Sequence, residues 1–157
     1  MEKIYLETSI FSFYYDERTQ PGIIARRDWS RQLIDELRTE YFMVTSPAVL
    51  TELSRGNKPH KDQSHKLALS FPELEVNQQI KEMVAVYLKH LIMPKDPLGD
   101  ALHLALASFH NCDFLVTWNC AHLANANKFG HIRHVNDLLH MPTPTMLTPL
   151  EILGVGL

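Results

Sequence analysis

The sequence has little cysteine and no long apolar run, and both absences limit its class. Only Cys112 and Cys120 are present; without a CxxC spacing they suggest neither a disulfide framework nor a structural zinc site, and both are expected to be buried thiols. The apolar stretches fall far short of the roughly 20 residues of a spanning helix, and the N-terminus lacks an apolar region of signal-peptide length. We therefore expect a cytoplasmic protein without a membrane segment.

Excess positive charge and glycine-rich loops are also missing. The formal net charge is −3, which argues against nucleic-acid binding through a broad basic field, so any RNA contact must be local. Basic residues cluster at Arg26, Arg27 and Arg31, at Arg55, Lys58 and Lys61, and at Lys128 and Arg133 with the histidines around them; for any one cluster, a solvated helix face or loop is the favoured interpretation. No Gly/Ser-rich or Pro-rich run interrupts the chain before residue 140, and 157 residues fit one domain. We predict a single domain over residues 1–157.

Short β-prone apolar runs alternate with amphipathic segments along the chain. The runs that favour strands are residues 3–7, 41–45, 74–76, 113–117 and 146–148. The segments with helical spacing of apolar residues are 23–40, 47–56, 60–70, 78–91, 96–109 and 119–139. Thr8 or Ser9 is the candidate N-cap of a further short helix after the first strand. This β/α alternation predicts a three-layer α/β/α sandwich with a central parallel sheet.

Four acidic or amide side chains fall where such a sheet binds ligands, outside the carboxyl ends of its strands. Glu7 and Asn119 lie at the carboxyl ends of predicted strands, whereas Glu52 and Asp100 lie in early helical turns. Three carboxylates and an amide oxygen form a ligand set that suits Mg²⁺ or Mn²⁺ better than zinc. Two unit charges 4 Å apart repel by about 4 kcal/mol at an effective dielectric of 20, so a divalent cation would relieve the crowding. The same ion can activate water and neutralise a scissile phosphate, which predicts hydrolysis of RNA or DNA.

Each of these four residues also has a structural interpretation. Glu7 and Asp100 could be acids that favour a helix dipole, and Glu52 could pair with Arg55 at i+3. Asn119 could cap the following helix. Considered one at a time, Glu7, Glu52 and Asp100 favour the structural interpretation, whereas Asn119 leaves both interpretations open.

Three further residues near these positions can be interpreted in the same way. Asp96 precedes Pro97, and we assign it to capping a helix rather than to metal binding. His103 and His122 could contact phosphate, but a lone histidine on a helix is usually packed or solvated.

In order and spacing, the motifs resemble the PIN domain, whose largest branch is the VapC-type toxins of toxin–antitoxin pairs. The motif YLETSIF with Glu7 is similar to the family's first strand, which ends in an acid followed by Thr or Ser. SPAVLTEL with Glu52 and DALHLALA with Asp100 are similar to its second and third acidic motifs. TWNC with Asn119 matches its T-x-D pattern approximately. The resemblance covers nearly the whole chain.

The resemblance implies a Mg²⁺- or Mn²⁺-dependent endoribonuclease, the toxin of a type II toxin–antitoxin pair. It implies Glu7, Glu52 and Asp100 as metal ligands, Asn119 as a supporting residue, and Thr8 or Ser9 behind them. It also implies an RNA substrate, an antitoxin partner and a homodimer. The sequence departs from the family at Glu7 and Asn119, which stand where the family usually has aspartate. The longer side chain of Glu7 shifts the carboxylate, although Mg²⁺ requires a near-ideal octahedral arrangement of ligands, and the amide of Asn119 removes a negative charge.

Two other classes of protein remain as alternatives. The first is a catalytically weak or silent PIN fold that binds RNA or a protein, which Glu7 and Asn119 motivate. The second is another small doubly wound protein, such as a receiver or nucleotide-binding module. The second is disfavoured because no G-x-G-x-x-G or G-x-x-x-x-G-K-[ST] loop is present and no lysine follows DFLVT where a receiver has one.

Overall fold

A four-stranded sheet forms the centre of the computed structural model, which describes residues 1–90 and 99–154. The strands are β1 (Lys3–Leu6), β2 (Phe42–Val44), β3 (Phe114–Val116) and β4 (Thr145–Leu147). Their order is β2-β1-β3-β4, and every pairing is parallel. Most of their side chains are buried, as expected where a sheet is covered on both faces. The predicted parallel sheet is confirmed.

Helices cover the sheet on both sides. In the described ranges they are α1 (Thr8–Tyr14), α2 (Pro21–Leu37), α3 (Pro47–Leu53), α4 (Lys61–Leu69), α5 (Gln78–Lys89), α6 (Asp100–Phe109), α7 (Ala126–Leu138) and α8 (Pro149–Ile152). Helix α5 packs on α6, whereas α1 packs on α2, α3 and α4. The three-layer α/β/α sandwich is therefore confirmed. None of the described helices combines the length and apolarity needed to cross a membrane.

Local signals in the sequence set several helix boundaries. The side chain of Ser46 accepts a hydrogen bond from the backbone of Val49, and Pro47 occupies the first turn of α3. Asn77 caps α5 in the same way, through the backbone N–H of Ile80. Gly56 has φ +75° shortly after α3, a left-handed conformation that glycine adopts without steric cost. The starts of α3 and α5 agree with the sequence-based predictions, whereas α3 ends at Leu53, earlier than the predicted end at Gly56.

The strand predicted at residues 74–76 is wrong. This segment touches the sheet edge at a single isolated bridge, between Thr45 and Glu73. The backbone N–H of Leu74 donates to the Thr45 carbonyl at 2.8 Å. Asn77 then caps α5, which begins at Gln78, and residues 74–76 form no strand in the described chain.

The helix predicted over residues 119–139 is shorter than expected. Residues 120–124 form turns, and α7 begins only at Ala126. Asn125 is its N-cap, because its side chain accepts a hydrogen bond from the backbone N–H of Asn127. Two successive capping asparagines, Asn119 and Asn125, therefore divide the segment.

Two other predictions have mixed outcomes. Asp96 and Pro97, expected to start the helix that carries Asp100, lie outside the described residues; the described helix α6 begins at Asp100 after Gly99. Cys112 is buried as predicted, but the prediction for Cys120 is wrong because its side chain is exposed.

The strand order places the carboxyl ends of β1 and β3 side by side. From β1 the chain proceeds to β2 on one side and then crosses to β3 on the other, which makes the gap between β1 and β3 a topological switch point. The backbone N–H of Glu7 donates to the Val116 carbonyl at 3.1 Å and closes the pairing at this edge. The candidate functional residues surround this point.

Candidate active site

Glu7 lies at the end of β1 and is held by three hydrogen bonds. Its Oε1 accepts from the backbone N–H of Ser9 at 3.0 Å, from the Ser9 hydroxyl at 2.5 Å and from the Thr117 hydroxyl at 2.6 Å. Glu7 itself is the N-cap of α1, so the expectation that Thr8 or Ser9 caps this helix is wrong. Thr117 follows β3, and its bond to Glu7 joins the two strand ends. The carboxylate is therefore fixed and almost fully buried.

His103 on α6 is completely buried and connects two parts of the site. Its Nδ1 lies 2.6 Å from the hydroxyl oxygen of Tyr5, which lies 2.8 Å from the Ser46 hydroxyl. Its Nε2 contacts Oε1 of Glu52 in a short ion pair. We name this connected set, Ser46, Tyr5, His103 and Glu52, the buried relay. His103 is therefore a packed histidine, the interpretation that the sequence favoured over a phosphate contact.

Glu52 is the partly exposed end of the buried relay. Its side chain is 27% exposed, compared with 0% for His103. The Thr8 hydroxyl donates to the same Oε1 atom at 3.1 Å. Glu52 therefore pairs with a histidine from a distant helix, and the alternative in which it pairs with Arg55 at i+3 is wrong.

Charges within the site determine the protonation of His103. Burial opposes the charged imidazolium, but the hydrogen bond to Glu52 and the negative charges of Glu7, Glu52 and Asp100 outweigh it and raise the pKa of His103. In the protonated ring both nitrogens donate, Nε2 to Glu52 and Nδ1 to the Tyr5 oxygen. Burial raises the pKa of Tyr5 well above its ordinary value, so Tyr5 keeps its proton and donates to Ser46.

Asp100 is the first residue of α6 and is half-buried. Its Oδ2 accepts a hydrogen bond from Nδ2 of Asn119 at 3.0 Å. Burial is the main cause that raises the pKa of Asp100, and the charge of Glu7 raises it further, whereas His103, His122 and the Asn119 bond act in the opposite direction. The negative charge of Glu7 thus disfavours the charged form of Asp100.

Asn119 joins this group through its amide nitrogen. Its oxygen accepts from the backbone N–H of His122 at 3.1 Å, so the capping role considered from the sequence is observed, on a turn rather than on a helix. The nitrogen that faces Asp100 is not a ligand atom for Mg²⁺. Asn119 therefore orients Asp100 in this arrangement.

The predicted residues Glu7, Glu52, Asp100 and Asn119 thus lie at one edge of the sheet around His103. Within residues 1–90 and 99–154, however, no group of three or more acidic, histidine or cysteine side chains has an arrangement that could hold a metal ion. Glu52 is drawn to His103 instead. The carboxylate oxygens still suit a cation that prefers oxygen ligands. In the described chain, one oxygen of each carboxylate accepts hydrogen bonds. The other oxygen accepts none from the described residues, and these oxygens are Oε2 of Glu7, Oε2 of Glu52 and Oδ1 of Asp100.

Three residues of the site were not identified from the sequence as belonging to it. Tyr5, Ser46 and Thr117 are all fully buried polar side chains. The available signal was a polar group inside an apolar run, as with Tyr5 in KIYLE and Thr117 in DFLVT, because buried polar groups require partners. Which partners they find depends on the tertiary structure.

Comparison with known proteins does not identify a family. No family model matches the chain, and no curated protein matches it. The PIN-like assignment therefore remains a prediction that depends on the sequence motifs.

Proposed function

We propose that this protein is a divalent-cation-dependent endoribonuclease of the PIN type, in which Glu7, Glu52 and Asp100 hold Mg²⁺ or Mn²⁺. One observation carries the proposal: three carboxylates from three separate parts of the chain, at the switch point of a parallel sheet, all act on one buried histidine and raise its pKa. The raised pKa of Asp100, caused by burial and by Glu7, indicates carboxylates that a cation would stabilise.

Each side chain has a distinct part in this function. Ser9 and Thr117 fix Glu7, Asn119 orients Asp100, and His103 holds one oxygen of Glu52. When bound, the divalent ion supplies charge neutralisation at the scissile phosphate and acidifies a water molecule. Rigid ligands matter here because Mg²⁺ requires near-ideal octahedral geometry.

The resemblance of the motifs supports further proposals about the cellular role. We propose a cytoplasmic toxin of a type II toxin–antitoxin pair, which forms a homodimer and is bound by an antitoxin. Light scattering on the purified protein tests the dimer, and a monomer at high concentration would contradict it.

Cleavage of a mixed RNA pool tests the nuclease directly. Purified protein is incubated with Mg²⁺, with Mn²⁺ and with EDTA, beside Asp100→Asn. Asp137→Asn is the matched control, because Asp137 is an exposed acid of α7 outside the site. Cutting should require metal, disappear in Asp100→Asn and persist in Asp137→Asn. Folded protein that cuts with neither metal would refute the proposal.

A second candidate is a silent PIN-type fold that binds RNA or a protein. The specific observation in its favour is the ion pair of Glu52 with His103, which engages a carboxylate that a metal site would need. Metal-independent RNA binding without cleavage would support this candidate.

A further inference from the structure

A groove of about 740 Å³ opens beside the candidate active site. Its walls come from α1, α3 and α4 and from the loops that follow α1 and α3. Thr8 and Glu52 belong both to this groove and to the site, where they are joined by a hydrogen bond of 3.1 Å. The groove is therefore continuous with the acidic cluster.

The groove carries more positive than negative side chains although the whole chain has a net charge of −3. The basic residues that line it are Arg18, Arg55, Lys58 and Lys61, in addition to His60. The acidic residues that line it are Asp16, Glu17 and Glu52. Such a local excess attracts a polyanion without a broad basic surface.

The basic residues differ in how they are engaged. Arg18 pairs with Asp16 at 2.7 Å, which neutralises both charges. Arg55 and Lys58 are exposed, and in the described part of the chain neither makes a salt bridge. These two cations are therefore available to contact phosphate groups.

The loop that carries Arg55 and Lys58 is held in place by hydrogen bonds. Gly56 turns the chain with φ +75°, and its carbonyl accepts from Nζ of Lys61 at 3.0 Å. His60 lies 3.4 Å from a carboxylate oxygen of Glu17, across the groove wall. A fixed loop presents its cations with a smaller entropy cost on binding.

An aromatic ring supplies the apolar part of the groove. Phe13 lines it; the Arg26 guanidinium lies over the Phe13 ring at 5.5 Å from its centroid, and the Trp118 ring packs edge-on at 6.4 Å. Proteins that bind single-stranded nucleic acid combine basic grooves with aromatic side chains on which bases stack. Paired bases of a duplex cannot stack in this way.

We infer that this groove binds a single-stranded segment of the RNA substrate next to the scissile phosphate, with Arg55 and Lys58 on phosphates and Phe13 under a base. The inference rests on the proposed function, because it treats the neighbouring acidic cluster as the place of cleavage. The volume lies within the roughly 300–1,000 Å³ of ordinary ligand pockets, which suits a short segment of one strand.

Binding without cleavage tests the groove separately from the nuclease. Fluorescence anisotropy is measured in EDTA, at several salt concentrations, with a labelled single-stranded RNA of about ten nucleotides. The groove variant is Arg55→Ala with Lys58→Ala. The matched control is Lys81→Ala with Lys89→Ala, which removes two exposed cations of α5 outside the groove.

The groove variant should bind more weakly and with a shallower dependence on salt. Each lost phosphate contact lowers the slope of log affinity against log salt by about 0.7 for single strands, so the expected change is about 1.4. The control should match the wild type. Phe13→Leu should weaken binding roughly five- to hundredfold while leaving the salt slope unchanged, since it removes stacking and no charge.

Several outcomes would overturn the inference. These are equal weakening in the groove and control variants, no RNA binding by folded wild-type protein at low salt, or tighter binding of a duplex than of the single strand. If the wild type cleaves RNA with metal and the groove variant cleaves equally well, the groove is refuted and the nuclease stands. If the groove variant alone loses RNA binding but no metal supports cleavage, the nuclease is refuted and the groove stands.

Discussion

Removing one hydroxyl from the buried relay should weaken both the fold and the site. In Tyr5→Phe the packing of the ring is kept, but His103 loses the partner that lies 2.6 Å from its Nδ1. Ser46 still accepts from the backbone of Val49, so the main loss is one unsatisfied nitrogen on a fully buried ring. Leaving such a nitrogen without a partner should lower the free energy of unfolding by about 1–3 kcal/mol, towards the upper end when the ring is charged.

Tyr87→Phe is a matched control for this change. Tyr87 is also fully buried, and its hydroxyl donates to Oδ1 of Asn136 at 2.5 Å, outside the candidate site. Both variants should lower the free energy of unfolding by a similar amount, measured by urea denaturation in EDTA. For a domain of this size, each 1 kcal/mol corresponds to about 2–4 °C in Tm.

The two variants should differ in metal binding. Only Tyr5→Phe loosens His103 and, through it, Glu52, so only this variant should change the affinity for Mn²⁺ in a calorimetric titration. Full stability of Tyr5→Phe would refute the hydrogen bonding of the relay. Equal Mn²⁺ affinity in the wild type and Tyr5→Phe would refute its connection to the metal ligands.

Three other predictions concern ionisation and exposure. Asp100→Asn should raise the Tm of the metal-free protein in scanning fluorimetry while abolishing cleavage. The reason is that burial and the charge of Glu7 disfavour the charged form of Asp100, as its raised pKa indicates. A lower Tm would contradict this. The raised pKa of His103 means that its imidazole holds a proton more tightly in the folded than in the unfolded state. This proton therefore stabilises the fold fully below pH about 6.5, and the stabilisation is lost as pH rises through the pKa of the folded state. Urea midpoints in EDTA from weakly acidic to alkaline pH should therefore fall more steeply for the wild type than for His103→Gln, and parallel curves would refute it. Exposed Cys120 should react with a thiol reagent in the native protein, whereas Cys112, whose pKa burial raises to about 12, should react only after unfolding.

Much of the architecture was predictable because its signals are local. Apolar runs at residues 3–7, 41–45, 113–117 and 146–148 predicted the four strands, and Ser46 with Pro47 predicted the start of α3. The errors occurred where local signals are ambiguous. Residues 74–76 have β-prone composition, but the chain leaves the sheet edge after one bridge.

The candidate site was only partly predictable. Glu7, Glu52 and Asp100 were expected to lie together because carboxyl ends of parallel strands share one edge of the sheet. The sequence could not show that Glu52 pairs with His103, or that Asn119 presents its nitrogen to Asp100. These hydrogen-bond partners depend on which side chains the fold packs next to one another.

The sequence by itself determined most of the elements, the parallel sheet and the positions of the acids after β1 and β2 and at the start of α6. Periodicity and capping act over a few residues, and such information is present in any short segment. Only the tertiary structure decided the buried relay and the groove. Tyr5 meets a histidine 98 residues away, which in turn meets a carboxylate 51 residues away. Contacts at such separations arise from packing, in which each buried polar group must find a partner among those that the fold brings near.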